Sequence, residues 1–150
     1  MEFAKADFDL FDREVFAFKQ LKDIYPPETI QRLKEDYQMS WQKWKHIQMT
    51  VATNVSADLQ PKVESWTNGW NLRSHFWCAY RNEAHPNQNA CLAALINQKQ
   101  YQVYFMFQHY KSGQRSGSLA AYNDLRWQIE EWSKDKNLAD YYIWPQVEHE

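Results

Sequence analysis

Tyr101-Gln102-Val103-Tyr104-Phe105-Met106-Phe107-Gln108-His109-Tyr110-Lys111 reads as one long strand, and that reading decides the fold class. Aromatic and β-branched residues dominate it, as a pleated, half-buried surface favours. Successive side chains of a strand point to opposite faces. Tyr101, Val103, Phe105, Phe107, His109 and Lys111 therefore share one face, and Gln102, Tyr104, Met106, Gln108 and Tyr110 share the other. Just upstream, Cys91–Ile96 is short and apolar on both sides, as expected of a strand covered on both faces. Asn97-Gln98-Lys99 between the two is a hairpin turn. Ser74–Arg81 alternates again, with His75, Trp77, Ala79 and Arg81 on one side and Phe76, Cys78 and Tyr80 on the other. Asn82–Asn89, with Pro86 and three Asn, is a loop. Three strands joined by short loops form an antiparallel sheet.

The flanks are helical. Val15, Phe16, Phe18, Leu21 and Ile24 suggest a short helix over Asp12–Ile24. Pro26-Pro27 stops it and opens the next, because first-turn amides need no intrahelical acceptor. Ile30, Leu33, Tyr37, Trp41, Trp44, Ile47 and Val51 then recur at steps of three and four, which makes one apolar stripe. That helix frays beyond Thr50, and Pro61 ends any continuation. Residues 56–72 read as a connection, with a short helix around Lys62–Trp66. After the glycine- and serine-containing loop Lys111–Ser118, the residues Tyr122, Leu125, Ile129 and Trp132 mark a further helix. Asn137 stops it, and Tyr141-Tyr142-Ile143-Trp144 is a last strand ended by Pro145. The order gives an α+β fold: two helices, an antiparallel sheet of about four strands, and a helix before the last strand. At 150 residues the chain reads as a single domain, 1–150, able to bury about 70% of its unfolded surface without a disulfide or metal.

Composition narrows the chemistry. A net charge of −2 gives no global attraction to nucleic acid or acidic membranes. Eight Trp, nine Tyr and eight Phe mean that rings build the core, a binding surface, or both. Cys78 and Cys91 form no C-x-x-C pair, and no apolar run reaches the 18 or so residues of a membrane helix. The N-terminus carries no secretory signal, so the expected location is cytoplasmic, with no membrane partner. Only Gly69, Gly113 and Gly117 are present, and neither G-x-G-x-x-G nor G-x-x-x-x-G-K-[ST] occurs. No nucleophile motif and no compact metal-ligand spacing is found, so no cofactor and no metal are expected.

The candidate surface comes from strand parity. Arg73, His75, Trp77 and Arg81 share parity on one strand, and His109 and Lys111 on another. If those faces coincide, they make a cationic and aromatic ligand-binding patch able to stack a base or hold an anionic group. The bland alternative keeps Trp77 in the core and the charged groups in water at the strand ends.

The runs Arg73-Ser74-His75-Phe76-Trp77, Ile96-Asn97-Gln98-Lys99-Gln100-Tyr101-Gln102-Val103-Tyr104, His109-Tyr110-Lys111 and Tyr141-Tyr142-Ile143-Trp144 carry a resemblance. Together with Asp7-Phe8-Asp9-Leu10-Phe11, they are similar to a small uncharacterised bacterial family. Some of its members bear an old glucose-6-phosphate 1-dehydrogenase label. The resemblance implies a bacterial cytoplasmic protein and carries over no catalytic residue. A three-glycine chain of this length has neither a dinucleotide turn nor room for cofactor and substrate domains, so the dehydrogenase label is not adopted. The leading reading is a binding or interaction module for an anionic small molecule, nucleic acid or protein partner. One alternative is a small enzyme with a site around His75 and His109. Another is a purely structural subunit of a homodimer or larger homo-oligomer.

Overall fold

The computed structural model describes residues 1–140. It is α+β. Helices α1 (Lys5–Asp9), α2 (Phe18–Ile24) and α3 (Pro27–Val55) come first. They are followed by strands β1 (Leu59–Val63), β2 (Thr67–Asn68), β3 (Asn71–Leu72), β4 (His75–Asn82), β5 (Ala90–Asn97) and β6 (Tyr101–Phe107). Helices α4 (Leu119–Asp124) and α5 (Arg126–Ser133) come last. The chain divides into two compact units, Met1–Ser116 and a second that begins at Gly117. In the second, Ser118 caps α4 by accepting the Ala121 N–H at 3.1 Å.

In the first unit β1, β4, β5 and β6 form an antiparallel sheet in that order. The α3 stripe packs on it, with Leu33, Tyr37, Trp44 and Ala52 buried against Phe76, Cys78, Tyr80, Ala94 and Ile96. The core is built largely from rings. Phe11 meets Phe76 edge-on at 4.9 Å, and Tyr37 lies 6.0 Å from both, spacings that favour the ring quadrupoles. Asp7 ties the N-terminal segment to α3, accepting from Ser40 Oγ at 3.0 Å and pairing with Lys43 Nζ at 2.5 Å.

Four local readings are corrected. The helix read over Asp12–Ile24 is α2, which starts at Phe18, not Asp12. The segment before it is held extended, because Phe16 O accepts from Leu72 N and Phe18 N donates to Trp70 O. The long helix continues past Thr50 to Val55, with Ser56 N donating to Ala52 O at its end. The short helix expected around Lys62–Trp66 is absent. Leu59–Val63 is instead the edge strand β1. Glu64 N donates to Trp77 O at 3.0 Å, so with antiparallel alternation Pro61 directs its nitrogen away from β4. The missing N–H therefore removes no ladder bond. Finally, β6 ends at Phe107, four residues short of Lys111. The strand read at Tyr141–Trp144 lies outside the described residues, and β1 supplies the fourth strand of the larger described sheet.

The β5–β6 hairpin controls which side chains meet. Asn97 N donates to Gln100 O at 3.1 Å, leaving Gln98 and Lys99 as a two-residue loop. Asn97 Oδ1 accepts from Lys99 N at 2.8 Å and from Gln100 N at 3.0 Å, which stabilises the turn. A two-residue loop pairs odd-numbered residues with even ones, as in Ile96 with Tyr101 and Leu95 with Gln102. The β4–β5 register pairs odd with odd, as in Trp77 with Leu95. His75, Trp77 and Arg81 therefore share their face with Gln102, Tyr104 and Met106. Tyr101, Val103, Phe105 and Phe107 belong to the helix-covered side.

Candidate functional site

The six residues singled out by parity fall at two ends of the sheet. At one end, His75 pairs with Asn97 beside the β5–β6 turn. Arg73 lies just before β4, and its Nη1 is 2.8 Å from Glu64 Oε2. Tyr37 Oη donates to Arg73 O at 3.0 Å, and Trp41 Nε1 donates to Glu64 O at 2.8 Å, so α3 fixes both partners of this ion pair. Burial lowers the His75 pKa below its ordinary value, and the Arg73 charge lowers it further, partly opposed by Glu64. Trp77 lies across the outer face and donates to Tyr104 Oη at 3.0 Å, bridging β4 and β6 above β5. The buried Ala79 and Ala93 on that face leave room for the two rings.

Arg81 is at the other end of β4. Only 9% of it is exposed. Its Nε donates to Gln88 O at 2.7 Å, and its Nη2 donates to Gln108 Oε1 at 2.6 Å. Both acceptors are neutral. Among the described residues no carboxylate reaches Arg81. Among the described residues its Nη1 has no acceptor, and it is not among the buried unpaired atoms, so that edge of the guanidinium stays open to solvent. A guanidinium this far from water is ordinarily neutralised.

The segment after β6 builds the rest of this end. Gln108, which holds Arg81, is backbone-bonded through its N–H to Asn89 O at 2.9 Å. The chain then turns at Lys111, whose φ of 55° lies in the left-handed region, into a short turn over Ser112–Gln114. Asn89 Nδ2 donates to Ser112 O at 3.2 Å, and Asn89 N donates to Ser116 O at 2.8 Å, so the loop is fastened beside β5. Arg115 Nη1 donates to Tyr110 O at 2.5 Å, again a neutral oxygen. The buried Cys91 thiol reports on both arginines. Burial raises its pKa, while the Arg81 and Arg115 guanidiniums draw it partly back. With a pKa above its ordinary value, this thiol is not an activated nucleophile.

His109 and Lys111 thus come to the Arg81 end through a loop, not through strand parity. His109 packs its ring 5.0 Å from Phe107, and the Lys111 ammonium lies 5.2 Å from the Tyr110 ring centroid. Arg73, His75 and Trp77 remain at the far end. His75 and His109 are separated by the length of β6, on the order of 25 Å at the usual rise per residue, so the two imidazoles do not converge. Arg115 was missed by sequence reasoning, which treated its segment as a turn. The usable signal was charge: residues 84–123 contain no Asp or Glu but hold Lys99, Lys111 and Arg115. Among the described residues no group of three or more His, Cys, Asp or Glu could hold a metal, and no helix is long and apolar enough to cross a membrane.

A protein-family model matches residues 3–150. A relative from Haemophilus influenzae, described as an uncharacterized protein, is 31% identical over 143 residues, which cover 95% of this chain and 67% of the relative. No solved structure matches the chain.

Proposed function

The chain belongs to the protein family matched over residues 3–150, which it shares with that uncharacterized Haemophilus influenzae protein, and we propose that it is a binding module for an anionic group. The site is the Arg81 end of the sheet. One observation carries this reading: among the described residues, a guanidinium nine-tenths removed from water has only neutral oxygens as partners, and it keeps one open edge. An anion seated there gains charge-assisted hydrogen bonds from Arg81 and Arg115, with Lys111 supplying exposed positive charge at the rim. Residues 84–123, which supply Lys111 and Arg115, contain no Asp or Glu. The raised Cys91 thiol and the separated histidines give an enzymatic reading no comparable support. The dehydrogenase label has none, since the relative bears no such description. We place the protein in the cytoplasm, a reading supported by two buried cysteines that remain free.

Calorimetric titration with pyrophosphate, and with a short single-stranded DNA, tests the reading. Binding is expected at low salt and weakens as salt rises. The double variant Lys111→Gln/Arg115→Gln loses about tenfold in affinity or more, equivalent to ~1.4 kcal/mol. No heat from either probe at low salt overturns the reading. Binding of the oligonucleotide alone assigns the anion to nucleic acid, and binding of pyrophosphate assigns it to a compact phosphorylated ligand.

A further inference from the structure

A second surface of the same unit carries the opposite charge. A groove of about 720 Å³ runs along α3, with Trp41 and Trp66 as its aromatic walls and Glu35 and Asp36 at its rim. Both indoles are fixed. Trp41 is held by its hydrogen bond to Glu64 O, and Trp66 packs 6.3 Å from the Tyr37 ring. Met39, 69% exposed, and the amides of Gln38 and Gln42 complete the wall. Among the described residues Glu35 accepts only from the Gln31 amide, at 2.9 Å, and no cation pairs with Glu35 or Asp36. One ring already attracts a cation: the Lys45 ammonium lies 5.3 Å from the Trp41 ring centroid.

We infer that this groove receives a basic segment of a partner polypeptide, with an arginine or lysine side chain between the Trp41 and Trp66 rings and the Glu35 and Asp36 carboxylates. Rigid indole faces favour cations through their quadrupole, and two unpaired carboxylates add complementary charge. Glutamine amides beside them suit the peptide backbone of an extended ligand. The groove is an open depression on the surface and not an enclosed cavity, which fits a polypeptide segment better than a small molecule enclosed on all sides. The Arg81 site plays no part in this inference, so either can fail without the other.

The test uses the full chain and three probes: acetyl-triarginine amide, acetyl-triglutamate amide and methylguanidinium, each titrated calorimetrically at about 50 mM salt. Triarginine binds and triglutamate does not. Glu35→Gln/Asp36→Asn, which alters only exposed side chains, weakens triarginine binding by about tenfold or more. Trp66→Leu weakens it by about fivefold, while Asp23→Asn, on α2 and outside the groove lining, leaves it unchanged. Absence of triarginine binding, or equal binding by the carboxylate variant, overturns the inference. Methylguanidinium binding as tightly as the peptide overturns the polypeptide occupant. So does self-association that the carboxylate variant abolishes, since the occupant would then be a second copy of the chain.

Discussion

Arg73 and Arg81 stand at opposite ends of one strand, are both largely buried, and are treated in opposite ways. Arg73 faces a carboxylate at 2.8 Å, and both members of that pair are held by α3 side chains. Arg81 has equally short hydrogen bonds, but to a carbonyl and an amide. Among the described residues the two ends differ in both respects: Arg73 has its charge met by Glu64 while its Nε is buried without a hydrogen-bond partner, and Arg81 has two hydrogen bonds but no carboxylate. An internally neutralised arginine is an architectural fastening. An arginine held by neutral acceptors, with no carboxylate beside it, retains attraction for an anion from outside.

The largest effect comes from removing the unneutralised arginine. Arg81→Met strands Gln88 O and Gln108 Oε1 and loosens the loop fastened there. A loss of about 3 kcal/mol in urea unfolding is expected, with anion binding abolished. A loss under about 1 kcal/mol would show that Arg81 does not hold the loop. Glu64→Gln sharpens the comparison from the other side, because it makes Arg73 resemble Arg81. Its pair is partly exposed, so the cost is about 1 kcal/mol or less at moderate salt. In that variant Arg73 also becomes responsive to added pyrophosphate.

The smallest effect is a pH dependence confined to the Arg73 end. His75 has a lowered folded pKa, so the unfolded chain binds its proton first as pH falls. Stability is therefore full above the ordinary histidine range and declines as pH drops from about 7 towards 5. His75→Gln flattens that part of the unfolding profile, and an unchanged slope would remove His75 from the account.

Much of this architecture was legible in the sequence. The α3 stripe from Ile30 to Trp44 and the strands around Phe76 and Ile96 follow from spacing alone, because burial on one face imposes the period. Leu59–Val63 was not legible, since Pro61 argues against a strand unless the strand is known to lie at an edge. The patch failed for a geometric reason. Two extended segments have parity individually, but the loop between them sets relative parity, and the two-residue turn at Gln98-Lys99 puts odd residues of β6 opposite even ones of β5. Arg81, His109 and Lys111 still gather at one end because a loop folds back. No periodicity encodes that contact, although the missing acids across residues 84–123 did mark the region.

Nuclear magnetic resonance of the arginine Nε–Hε groups during a pyrophosphate titration compares the two ends in one experiment. The account predicts saturable shifts for Arg81 and Arg115 while the Arg73 signal stays in place. Movement of Arg73 in their stead, or stillness of all three, would contradict it.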